Sequence, residues 1–153
     1  MAARNGFVVG FLTRTNSTLL SLCLFLLRAA IGVILFMIGS GKVLGWFGGS
    51  GLPTALVHYA DMGFSPVPAY MSCFTEFLGG AALIAGLLTR PAAFAVTINM
   101  AVATSVMMPK GFIFGGASAP FSLLVVAFVI LLAGPMAFSL DALLLRPRQI
   151  IIK

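Results

Sequence analysis

Glu76 is the residue whose type and setting most demand an explanation. It lies near the middle of an apolar stretch running from about Pro68 to Leu88. A charged side chain at that depth in a bilayer costs on the order of 2.5–3.5 kcal/mol. Such residues face the interior of a helix bundle and mark a pathway, a proton relay or an ion pair. Ser72 and Cys73 stand one turn before Glu76, and Gly79 and Gly80 one turn after. A stripe of small residues around a carboxylate is what close helix packing uses.

An earlier apolar stretch offers two counter-charges, Arg28 and Lys42, on the same helical face as Gly32 and Gly39. Counting 1.5 Å per residue from each stretch's midpoint puts Glu76 near the centre and Arg28 roughly 5 Å to one side. Lys42 falls much nearer the opposite surface, where it can snorkel outward. Arg28 is therefore the expected partner of Glu76, and Asn99, on a third stretch, is the remaining member of the candidate intramembrane polar centre. Two readings follow. Either Arg28 and Glu76 are a buried salt bridge that fixes how two helices pack, or Glu76 binds a proton or a ligand.

Other polar residues carry less. Thr97 and Thr104 share a face and are expected to bond back to their own helix. His58 is the only histidine and falls in a connecting segment, so it cannot supply two axial ligands to a haem. Cys23 and Cys73 lie in apolar runs without CxxC spacing and read as small buried hydrophobes. No metal site is expected. Gly39-Ser40-Gly41-Lys42 imitates a phosphate-binding loop, but Val43 replaces the Ser/Thr, Phe36 occupies the first glycine position, and no strand precedes it.

The elements that position these residues are four apolar windows of nearly the ~20 residues a bilayer requires. They run from about Leu19 to Val43, Pro68 to Leu88, Pro91 to Met108 and Ala119 to Ala133, the last stopped by Gly134-Pro135. The first resembles a signal peptide, with Arg4 and Arg14 ahead of it, but it is too long and lacks a small-residue cleavage site. A glycine-rich loop, residues 45–51, follows it. Leu52, Ala55, Leu56, Tyr59 and Met62 then recur at helical spacing, as in a short helix lying in the interface, with Trp46, Tyr59 and Tyr70 at headgroup level. Ser139 is placed to cap a second short helix through Leu140, Leu143 and Leu144. The expected fold is thus an all-α integral membrane four-helix bundle with a short interfacial helix in the first outer loop.

Composition excludes the soluble classes. Of 153 residues, 61% are hydrophobic and only 8% charged, against roughly 25% charged in soluble domains. The mean hydropathy is +1.16. The net charge of +6 comes from scattered basic residues, so nucleic acid is not an expected partner. Arg4, Arg14, Arg90, Arg146, Arg148 and Lys153 fall on one side of the four windows, and only Lys42 and Lys110 on the other. The positive-inside rule then places both termini in the cytoplasm. The chain divides into a cytoplasmic segment 1–18, a membrane domain 19–145 and a basic cytoplasmic tail 146–153.

Several short strings, in order, resemble the DoxX family of small bacterial membrane proteins over about Leu26 to Leu144. They are Leu27-Arg28-Ala29, Gly39 to Phe47, Met62-Gly63-Phe64, Glu76 to Gly80, Gly86 to Arg90, Gly134-Pro135 and Ser139-Leu140-Asp141. The resemblance implies a four-helix bundle in a bacterial inner membrane. It also implies an association with oxidoreductase assemblies that handle quinones, thiols or oxidative stress, with no agreed catalytic residues.

The leading expectation is a non-catalytic subunit or partner of a membrane oxidoreductase, not an enzyme alone. No haem, iron–sulfur, flavin or dithiol motif is present, so no tightly held cofactor is expected, and quinone is the ligand left in view. The alternative is a small proton-coupled transporter or channel with an Arg28–Glu76 polar centre. Expected partners are the lipid bilayer, an oxidoreductase and a second copy of the chain.

Overall fold

The computed structural model describes residues 17–135 and 138–144. The basic terminal residues Arg4, Arg14, Arg146, Arg148 and Lys153, on which the orientation and the outer segment boundaries rest, lie outside them. The described residues form six α-helices: α1 Ser17–Leu44, α2 Gly51–Asp61, α3 Pro66–Ala85, α4 Thr89–Met107, α5 Ser118–Ala133 and α6 Leu140–Leu144. Helices α1, α3 and α4 are long and apolar enough to cross a membrane. The fourth, α5, has 16 residues, or about 24 Å at 1.5 Å per residue, somewhat short of a ~30 Å hydrocarbon core.

The helices start and stop for local reasons. Pro66 and Pro68 occupy the first turn of α3, where a missing N–H costs nothing. Gly86 ends α3 in the left-handed conformation (φ 67°), which a glycine adopts without penalty. Helix α4 opens two residues before Pro91, and Pro91 falls in its first turn. Ser139 caps α6 as its sequence suggests, accepting the Ala142 N–H at 3.0 Å.

Helix α1 packs along α3, α3 against α4, and α4 against α5, which also touches α1. The α1–α3 seam is the tightest because glycines line both sides. A Cβ on Gly39 would collide with the Phe77 backbone, one on Gly80 with Phe36, and one on Gly32 with Ile84. The two backbones therefore meet, as small residues allow in a membrane, and Phe36 stacks on Phe77 at 5.3 Å beside them. Ile31, Leu35, Leu83, Ala93, Val96, Met100, Ala127 and Ile130 fill the space among the four helices.

Large apolar side chains also cover the outside, among them Leu26, Ile34, Leu78, Phe94, Ile98, Phe128 and Leu132. Water would not tolerate that surface, whereas lipid tails match it. The fold is an integral membrane four-helix bundle. Helix α2 packs against one end of it, touching α1 and α3 and scarcely α4. Helix α6 closes the other end.

Candidate functional site

The glycine contacts fix the register of α1 on α3. Gly39 lies against Phe77, Phe36 against Gly80 and Gly32 against Ile84, so each step back along α1 is a step forward along α3. This puts Glu76 level with Ser40, and Arg28 level with the turn after α3. Arg28 is twelve residues from that level, roughly 18 Å along the helix axis. The expected Arg28–Glu76 pair does not form.

Lys42 takes Arg28's place. Its Nζ lies 2.7 Å from Glu76 Oε2 and donates to Oε1 at 2.9 Å and to the Tyr59 hydroxyl at 3.2 Å. Tyr59 Oη and Ser72 Oγ share a further hydrogen bond of 2.7 Å. The ammonium also sits 5.5 Å from the centre of the Tyr59 ring, a cation–π contact. Lys42 does not simply snorkel, and Tyr59 does not simply anchor at the headgroups. Both turn inward. Glu76 is 5% exposed, while the Lys42 side chain keeps 30%. Asn99 Nδ2 lies beside the Glu76 carboxylate, buried and without a well-formed hydrogen bond.

These residues form the polar end of a cleft of about 840 Å³ between α2, α3 and α4. His58, Thr54 and Ser50 line its mouth at the α2 end, and Met71, Phe94, Ile98 and Val102 line its apolar wall. Met71 is 66% exposed and Phe94 55%. That wall is also the bundle's lipid-facing surface, so the cleft opens sideways to lipid where α2 and α4 stand apart. Among the described residues no group of three or more His, Cys, Asp or Glu side chains gathers to hold a metal.

Arg28 serves the opposite end. Its Nη1 donates to the Pro135 carbonyl at 3.1 Å and its Nη2 to that of Phe138. Its guanidinium lies 5.7 Å from the Phe25 ring centre. Gly86 is glycine partly for this reason, since a Cβ there would come within 2.7 Å of Arg28. Asp141 completes the arrangement. Its carboxylate accepts the N–H groups of Leu88 at 2.7 Å and Thr89 at 2.8 Å, capping α4, while its own N–H bonds to Gly86 O at 2.9 Å.

Leu88 has φ 49°, a conformation a branched residue adopts only when held, and the Asp141 carboxylate holds it. Burial alone would raise the Asp141 carboxyl. The N–H groups of Thr89 and Leu88 and the Arg28 charge outweigh burial and keep it below the usual carboxylate range. A small cavity of about 10 Å³ lies beside Arg28, Phe25 and Pro135.

The other candidates fall out simply. Thr97 and Thr104 bond back to Ala93 O and Met100 O, each at 2.7 Å. Cys73 is buried, but Cys23 faces outward toward lipid, against expectation; both are free thiols.

A four-helix bundle with charged side chains buried between its spans, and a polar cleft open to lipid, defines an integral membrane protein with an intramembrane polar centre. The sequence pattern of one family matches residues 23–109, more than half of the chain, and that family is DoxX. The chain belongs to the DoxX family. No curated protein and no solved structure shows a significant match to it.

Proposed function

We propose that this protein is a non-catalytic membrane subunit of an oxidoreductase assembly, and that its cleft receives a quinone. The observation that carries this reading is the ion pair of Lys42 with the buried Glu76, with Asn99 beside it, at the inner end of a cleft that opens sideways to lipid. A quinone needs a polar site for its ring carbonyls and an apolar exit for its tail. The Asn99 amide and the Lys42 ammonium supply donors, and Phe94, Ile98 and Val102 supply the exit. The electrons are assigned to a partner protein, because the sequence carries no haem, iron–sulfur, flavin or dithiol motif. The Lys and Arg distribution and the family resemblance support a bacterial inner membrane with both termini cytoplasmic, which turns the α2 end outward.

A photoreactive quinone analogue added to the protein in lipid nanodiscs tests the reading. Cross-links mapped by mass spectrometry should concentrate on residues 94–106 and 68–76, and excess unlabelled quinone should suppress them. Cross-links scattered over the whole lipid-facing surface, or insensitive to competitor, would refute it. The transporter alternative draws less support. Beyond Glu76 toward the α6 end, Leu35, Leu83, Ala93 and Val96 leave no side chain exposed and no room for a solute.

A further inference from the structure

The geometry points to one-sided proton access: the Glu76 carboxyl exchanges protons with water at the α2 end, through Lys42, Tyr59 and Ser72, and is sealed from the α6 end. For its ligand this rests on the preceding reading, but the access route stands on its own geometry.

The route is continuous. From Glu76 the hydrogen bonds run to Lys42 Nζ at 2.9 Å, on to Tyr59 Oη at 3.2 Å and on to Ser72 Oγ at 2.7 Å. Tyr59 and Ser72 line the cleft together with His58, Thr54 and Ser50 at its mouth. Proton balance is kept at each hop. The Lys42 ammonium gives a proton to Glu76 and regains one from Tyr59. The tyrosine oxygen is refilled from Ser72, and Ser72 from hydronium at the cleft mouth, so the net change is one hydronium converted to water and one proton on Glu76.

Helix α1 presents only Lys42 to the carboxylate, and α2 presents Tyr59, with His58 further out. Helix α4 presents only the Asn99 amide, and α3 itself adds Cys73 and Ser72.

Among the described residues, two layers close the other direction. Gly80 and Gly39 bring the α1 and α3 backbones into contact next to Glu76, and Leu35, Leu83 and Val96 are fully buried behind them. Below these, the Arg28 guanidinium is held by the carbonyls of Pro135 and Phe138. A quinone reduced in this cleft by electrons from the partner must take up two protons. This route makes the α2 side their source.

The test uses dicyclohexylcarbodiimide, which enters from lipid and reacts with a protonated carboxyl. The acid proton moves to a carbodiimide nitrogen, the carboxylate oxygen adds to the central carbon, and the acyl group then shifts to nitrogen. The full chain is reconstituted in vesicles sorted for one orientation, with internal and external pH set independently between 5 and 9. The N-acylurea on Glu76 is quantified by mass spectrometry, and Glu76→Gln gives the background.

The rate should change up to tenfold per pH unit on the α2 side over part of that range. It should stay within twofold when only the α6-side pH changes. Tyr59→Phe should slow the response to a pH jump at least severalfold, and Ser72→Ala should do the same if Tyr59→Phe fails to fold. A rate that follows the α6-side pH, follows both sides equally or follows neither would overturn the inference. Loss of quinone binding with one-sided labelling intact would sink the ligand reading and leave the proton route standing.

Discussion

Helix α1 carries one cation near each end of the bundle, Arg28 buried and Lys42 partly exposed, and the two are treated in opposite ways. Arg28 is 4% exposed, and its hydrogen bonds go to main-chain carbonyls. Its planar fork fits two fixed acceptors at once. Lys42, a flexible point charge, meets only side chains, Glu76 and Tyr59, and beside it lies a cleft of about 840 Å³. A cation held by backbone at helix ends cannot change partner without unfolding something. A cation held by a carboxylate and a phenol at the edge of a cavity can. Burial of charge alone does not distinguish structure from function; the nature of the partner and the space next to it do.

The comparison breaks most easily at Arg28. Arg28→Met should remove both carbonyl bonds, each worth about 1.5–3 kcal/mol as a hydrogen bond from a charged donor. A detergent or denaturant titration of the purified protein would show it, and Arg28→Lys should recover little because a lysine lacks the fork. If Arg28→Met melted like the parent, the α6 end would not be the structural lock described here.

Asp141→Asn should cost less, about 1–2 kcal/mol, because the amide keeps one acceptor and turns an NH2 group toward the other N–H, loosening the hold on the strained Leu88 backbone. The pH dependence has a definite sign. The folded-state carboxyl lies below its unfolded value. Its contribution is therefore complete above the unfolded value near ~3.9 and is lost as pH falls through the lower folded one. The gap in melting temperature between parent and Asp141→Asn should be full at neutral pH and close below about pH 4. A gap independent of pH would contradict the role given to the charge.

Substitutions at the α2 end should sharpen the contrast by doing little to stability. In Glu76→Gln, Lys42 loses its counter-charge, but it keeps 30% exposure and can turn into the cleft. The cost should be about 1 kcal/mol, because the glutamine carbonyl still offers the ammonium an acceptor, while quinone affinity falls about tenfold, or ~1.4 kcal/mol. Tyr59→Phe should be the mildest, leaving both stability and equilibrium affinity within about twofold and changing only the rate of proton exchange. A Glu76→Gln protein as unstable as Arg28→Met would make both ends structural.

Much of the fold was legible from hydropathy, because a bilayer demands long apolar runs and prolines and glycines punctuate them. The α1 window at Leu19 to Val43 differs from the helix Ser17–Leu44 only at its ends, and α2 lies where its helical spacing places it. Glu76 was legible as a polar centre for the same reason. Its partner was not. Depth counted from each stretch's midpoint assumes that the spans are centred on one another, whereas the register is set by glycines meeting backbone, Gly39 at Phe77 and Gly80 at Phe36. The sequence shows those glycines without showing which residue each one meets.

Asp141 was passed over because its partners lie more than fifty residues earlier. The signal available was scarcity, since the chain has only three acids and each carboxylate near a membrane needs an occupation. Tyr59 was read as a headgroup anchor because aromatic residues at span ends usually are. Only the packing of α2 against α1 and α3 turns it toward Lys42.

The most direct test of the central claim is equilibrium binding of a short-tailed quinone to the protein in nanodiscs, with melting temperature measured on the same samples. The parent should bind saturably at about one quinone per chain, and Glu76→Gln should bind about tenfold more weakly while melting within a few degrees of the parent. Equal affinity in parent and Glu76→Gln, or no saturable binding in either, would contradict the assignment of the Lys42–Glu76 cleft as the functional site.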